Sequence, residues 1–207
     1  MSDIRYRLAK PSDAKEIANV HWHVRDRYTE GIYLMLGKRF LEAYYRITLN
    51  DPWEVNVCAI NEKDKIVGFT GTTLNARAKY SNIRKHRITL GIAALQGIVR
   101  KPSLLKEVWV RYRSLKGDAK SPKFLTSDGV RGGYWCWLKS DNSLKSFELT
   151  KVKNNMLRDM GIKEFFFEVD KSNNAVYKFH LKVNKAIPIE EIKLPDGRVR
   201  VLMKKVL

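Results

Sequence analysis

Between residues 132 and 184 the hydrophobic pattern changes period three times, and this run restricts the chain to folds that mix helix with sheet. GGYWCWLKS (132–140) is short, apolar and aromatic-rich, the pattern of a central strand. Over 143–160, Leu149, Val152, Met156, Leu157 and Met160 share one helical face, and Gly161 stands where a helix ends on a left-handed residue. KEFFFEVD (163–170) reads as strand again, and a helix from about 173 to 184 follows, opened by Asp170, Ser172, Asn173 and Asn174. Alternation of the two periods is the mark of a mixed α/β domain.

The flanking sequence has the same character. DIRYRLA (3–9) alternates Ile4, Tyr6 and Leu8 with charged neighbours, as a half-buried strand does. Pro11, with Ser12 or Asp13, suits the start of a helix whose face carries Ala14, Ile17, Ala18, His21, Val24 and Tyr28. A second helix is expected over 33–49, where Leu34, Gly37, Phe40, Leu41, Tyr44, Tyr45 and Thr48 recur at helical spacing before Asp51-Pro52 ends it. WEVNVCAI (53–60) and KIVGFTGTTL (65–74), joined by NEKD, read as a hairpin. Gly68 and Gly71 point to a bulge or a close approach by a ligand, or else to an ordinary weak strand. KFLTS reads as strand, and AIPIEEIKL, a PDG turn and RVRVLMKKV read as a terminal hairpin. The expected architecture is a central twisted mixed sheet of about seven strands flanked by helices, in one domain over 1–207.

Composition bounds the partners. The chain is 44% hydrophobic and 30% charged, which excludes a disordered polymer. Its 40 Lys and Arg against 22 Asp and Glu leave a net charge of +18, a field that favours anionic ligands or surfaces without choosing among them. Residues 76–128 hold 13 Lys and Arg against three Asp and Glu and read as a basic helical insertion. Ile88, Ile92, Leu95 and Val99 form one stripe, and Leu105, Val108, Trp109, Tyr112 and Leu115 a second, with Pro102 between them. Both stripes are expected to pack on the core and leave a solvated basic face, in preference to a dedicated nucleic-acid or membrane surface. Cys58 and Cys136 lie in strand-like runs without metal-ligand spacing and are expected to be buried free thiols. MSDIRYRLAK has no apolar signal core, and the mostly apolar run 88–99 is too short to span a bilayer, so a cytoplasmic setting is expected.

The element order, together with DAKEIANVHW, LGKRFLEAYY, KIVGFTGTT and FFFEVDKSNNAVYKFHLKVN, resembles the GNAT superfamily of acyl-CoA-dependent N-acetyltransferases over nearly the whole chain. The resemblance implies acetyl transfer from acetyl-CoA to an amine by direct attack in a ternary complex, with no metal. It implies that Trp135, Cys136, Trp137 and Leu138 offer backbone groups to the cofactor arm and thioester. The family's pyrophosphate cradle, Arg/Gln-x-x-Gly-x-Gly/Ala, falls on Asp141 to Ser146, where Leu144 and Ser146 replace the glycines. Ser143 and Ser146 hydroxyls and the Lys145 charge are the substitutes at hand, at a helix start near Ser143.

Asn173 matches the asparagine that contacts the pantetheine arm, and His180 occupies the position of the tyrosine that protonates the leaving thiolate. Tyr177 is a second candidate, and the alternative for His180 is a capping or core imidazole. Asn184-Lys185 replaces the usual Gly-Phe, so Asn184 is expected to take the left-handed turn. Tyr28, Glu30 and Tyr33 match the loop that lines the acceptor pocket. Glu30, Asp26 and Glu54 are candidates for the base, although each is expected to be a solvated charge, and His21 is expected to be a satisfied core histidine. The implied acceptor is a small-molecule amine, with an amino sugar on an anionic nucleotide suggested by net charge. A homodimer is a candidate assembly. The rival readings are a catalytically silent domain that binds nucleic acid or an acidic surface through its insertion, or a different acyl donor.

Overall fold

The structure is a computed structural model that describes residues 4–26, 31–106, 108–109, 129–138, 144–193 and 197–207. Seven strands form one sheet in the order β1-β2-β3-β4-β5-β7-β6. They are β1 (Arg5–Leu8), β2 (Glu54–Ile60), β3 (Ile66–Thr73), β4 (Arg131–Trp137), β5 (Glu164–Asp170), β6 (Ile187–Lys193) and β7 (Val199–Val206). All neighbours are antiparallel except β4 and β5. The helices are α1 (Ala14–His23), α2 (Ile32–Leu36), α3 (Lys38–Thr48), α4 (Ala76–Lys85), α5 (Arg87–Arg100), α6 (Lys145–Asp159) and α7 (Asn174–Lys182). The mixed sheet and its flanking helices agree with the sequence reading. KFLTS lies outside the described residues.

Strand alternation divides the core. Cys58, Phe69 and Cys136 turn one way, onto α1, α3 and α5. Val57, Ala59 and Trp137 turn the other way, onto Leu149 of α6. A third cluster joins Leu157 of α6 to β5 and β7 through Phe165, Phe167, Val201 and Met203. Both cysteines are buried and free, and burial pushes the Cys58 thiol up to about 12. The bulge expected near Gly71 is present: the β3–β4 register shifts between Thr70 and Thr72. Gly68 instead makes room for the Trp137 ring, since a Cβ there would lie 2.2 Å from Trp137 Cε3.

Three expectations need correction. The single helix over 33–49 is two helices, because Gly37 adopts φ +100°, a conformation that ends one helix and redirects the chain into the next. The stripe Ile88, Ile92, Leu95, Val99 does not pack on the core; α5 buries Leu90, Ala94 and Gly97 instead. Gly97 explains the choice: its Cα lies against the Leu36 backbone, where a Cβ would come within 2.5 Å of the carbonyl oxygen. Close helix approach therefore selects the face with small residues. Finally, the left-handed residue after α7 is Lys185 (φ 51°), one later than expected, while Asn184 is buried and hydrogen-bonded.

Candidate active site

The parallel pair β4–β5 is in register at one position, Arg131↔Phe166. Beyond it the two strands no longer pair with each other. A cavity of about 410 Å³ lies along this opening, lined by Arg131 to Cys136 of β4 and by Phe165, Phe167 and Glu168 of β5.

On one side of the opening the cavity is walled by α6 and α7. Helix α6 carries a buried polar stripe, Ser146, Thr150, Lys153 and Asn154, beside the apolar Leu149 and Leu157, and of these Thr150 and Lys153 line the cavity. Lys153 is only 6% exposed and lines the cavity, with its ammonium 4.3 Å from the centre of the Phe165 ring. No carboxylate pairs with it among the described residues. Burial, and secondarily the charge of Lys205, lowers its pKa to about 7.

His180 reaches the same cavity from α7. Asn154 Nδ2 donates to Asn184 Oδ1 (3.3 Å), and Asn184 Nδ2 donates to His180 Nδ1 (3.1 Å). This chain makes Nδ1 an acceptor, so the neutral ring carries its proton on Nε2. Burial, with the nearby Lys153 charge, lowers the His180 pKa to about 4, which keeps the ring neutral at pH 7. The Trp135 indole faces this region with its ring 4.9 Å from Phe179 and 5.8 Å from His180, and its buried Nε1–H has no hydrogen-bond partner.

The other side is aromatic and charged. Tyr33 packs against Phe40, Tyr44 and Tyr134, with centroids 4.8–5.8 Å apart. His21 Nδ1 and the Tyr45 hydroxyl are 2.8 Å apart, and burial lowers the His21 pKa to about 3. His21 is the satisfied core histidine expected, and it also touches the cavity wall. Glu54 is not the solvated charge expected: its side chain is buried on the cavity, with Lys79 Nζ 3.0 Å from Oε1. Glu168 lines the same space and accepts from Arg200 at 3.1 Å.

Of the residues singled out from sequence, the cavity gathers Trp135, Cys136, Asn173, His180 and Tyr33. Asn173 caps α7 without a side-chain cap bond, so its amide is not engaged there. Trp137, Leu138 and Tyr177 do not line the cavity. Trp137 shares the sheet face of Trp135 but packs over Gly68 and against Leu149 of α6, away from the cavity, and Tyr177 packs with Val176 and Leu181 against the β5–β7 cluster. Tyr28, Glu30 and Ser143 lie outside the described residues. Helix α6 begins at Lys145 among the described residues, and Leu144 occupies its N-cap without a side-chain bond. The Lys145 ammonium is held by both oxygens of Glu148, at 2.9 and 2.8 Å, and Ser146 is buried. Sequence reading missed Lys79, Lys153, Asn154 and Glu168. The signal for two of them was present: Ser146, Thr150, Lys153 and Asn154 recur at helical spacing on the helix after the aromatic strand.

No protein-family model and no curated protein sequence matches this chain. Solved structures do. A candidate acetyltransferase of Acinetobacter baylyi ADP1 superposes with a TM-score of 0.60 at 13% identity, covering 100% of this chain and 93% of that one. A GNAT-family acetyltransferase of Staphylococcus aureus Mu50 gives 0.56 at 12% identity, covering 99% of each chain. A Salmonella typhimurium protein solved with its cofactor acetyl-CoA gives 0.57 at 12% identity, over 100% of this chain and 95% of that one. With its seven strands in this order, its one parallel pair opening into a cavity and its likeness to these structures over the full length, the chain has the fold of the GNAT acetyltransferases.

Proposed function

We propose that this protein transfers an acetyl group from acetyl-CoA to the primary amine of a small acceptor, across the opening between β4 and β5. The observation that carries the reading is the Trp135 Nε1–H, a buried donor without a partner that borders the cavity. A buried donor left unpaired costs about 1–3 kcal/mol, so a ligand acceptor there is worth a comparable amount. The Trp135 indole N–H and the Asn173 amide, both on the cavity, fit an extended arm bearing amide groups. The α6 N-terminus fits a diphosphate less well, because Lys145 is engaged by Glu148 and no glycine opens the backbone.

Acetyl-CoA supplies an acetyl group activated as a thioester. The chain's residues orient the partners and manage protons. His180 presents Nε2–H as a hydrogen-bond donor but, being neutral, has no proton to release at pH 7. Lys153 in the same cavity does: its ammonium loses a proton near neutrality. It is therefore the acid for the departing sulfur, with His180 as the neutral donor beside it. This revises the assignment of that role to His180 on sequence grounds. Glu54 and Glu168, on the other side, are carboxylates suited to hold and deprotonate an ammonium. Their cationic neighbours Lys79 and Arg200 are already opposed to them, so the reading extends to a primary amine and not to a nucleotide-linked amino sugar.

The test is a thermal-shift titration with acetyl-CoA, followed by release of free thiol in the presence of a panel of primary amines. Binding to the native state must raise the melting temperature. No shift at millimolar acetyl-CoA overturns the reading.

A further inference from the structure

The stripe on α5 that the core leaves unused is a surface feature the acetyl-transfer reading does not explain. Ile88, Ile92, Leu95 and Val99 follow one another at helical spacing and are between 54% and 77% exposed. Past Pro102, Leu105 and Trp109 are also more than half exposed. The helix is held by its opposite face, through Gly97 on the Leu36 backbone, so these side chains are not needed to dock it. Contiguous exposed apolar surface of this kind marks an interaction site.

Charge identifies the partner. From residue 76 to residue 106 the sequence contains no Asp or Glu. Arg84, Lys85 and Arg87 stand exposed at one end of α5 and Arg100, Lys101 and Lys106 at the other. None of the six forms an ion pair among the described residues. A second copy of the chain would bring two such basic rims together within a Debye length. Nucleic acid would use the cations but leave the apolar stripe in water. An anionic bilayer takes both: the side chains enter the acyl boundary while Lys and Arg meet the headgroups. No helix among the described residues is long and apolar enough to cross a membrane, which leaves interfacial binding as the mode open to this face.

We infer that the exposed α5 stripe and its basic ends seat this protein on the surface of an anionic lipid bilayer. This does not depend on the acetyl-transfer reading. The test is co-sedimentation of the full chain with vesicles of phosphatidylcholine containing a quarter phosphatidylglycerol, against pure phosphatidylcholine. Binding to the anionic vesicles is expected to be at least about tenfold tighter and to weaken with added salt. Ile92→Asp with Val99→Asp should reduce it about tenfold or more while the melting temperature holds, since both positions are exposed. Three results each overturn the proposal: equal or absent binding to the two vesicles; a fall in the melting temperature of the variant, which would mean the stripe is covered by the chain itself; or a dimer in the wild type, by light scattering, that the variant abolishes.

Discussion

Asn184 Nδ2 donates to His180 Nδ1 at 3.1 Å, and the bond decides what the imidazole can do. With Nδ1 accepting, the ring offers Nε2–H to the cavity and stays neutral, so proton release passes to the buried Lys153.

Lys153→Met should lower turnover by roughly a hundredfold, the scale of a lost general acid, and leave acetyl-CoA binding within about twofold. The limb of the rate profile near pH 7 should vanish with it. The variant should also melt higher than the wild type, because an ammonium without a carboxylate partner costs folding free energy when buried. Thiol-release kinetics across pH, with calorimetry, check all three.

Acid should destabilise the fold through its histidines. In the unfolded chain each ring binds a proton near pH 6.5. In the fold His180 resists until about 4 and His21 until about 3. Below pH 6.5 the unfolded state therefore binds more protons, and stability present above that value is lost as pH falls toward 4. The loss by pH 5 is at most about 2 kcal/mol for each ring. Urea unfolding at pH 7.5 and 5.0 measures it, and His180→Gln should reduce the difference between the two.

Glu54→Gln should destabilise the protein by about 3 kcal/mol, since it leaves the Lys79 ammonium buried beside a neutral amide. Pairing it with Lys79→Met should recover most of the stability and none of the acceptor turnover. A double-mutant cycle by urea unfolding gives the coupling.

Gly68→Ala should cost about 1–3 kcal/mol, as the new methyl would meet the Trp137 ring at 2.2 Å. Gly97→Ala should cost at least as much, because its obstacle is the Leu36 backbone rather than a ring that can tilt. Chemical denaturation of both variants provides the comparison.

How much was legible follows from how local each signal is. The helix end at Gly161 was readable, and the structure gives it φ 79°. The strand FFFEV and the aromatic strand before α6 were readable because period two is written in neighbouring residues. Asn173 and His180 were singled out by the family resemblance of the segment after β5, and both line the cavity. Tyr177, the second candidate, is on a part of α7 that packs against the β5–β7 cluster, and it does not line the cavity. Lys153 was passed over because a lysine in a helix ordinarily reads as a solvated charge, and nothing in the nearby sequence shows that β4 and β5 part in front of it.

By itself, then, the sequence determined the succession of elements, the mixed sheet and the positive field, all of which arise from period, turn residues and composition along the chain. Tertiary structure decided which face of α5 is buried, which charges line the cavity and which imidazole nitrogen holds the proton. Those outcomes depend on contacts between residues far apart in the chain, such as Gly97 with Leu36 and Asn154 with Asn184, and burial acts on a side chain only once its distant neighbours have excluded the water.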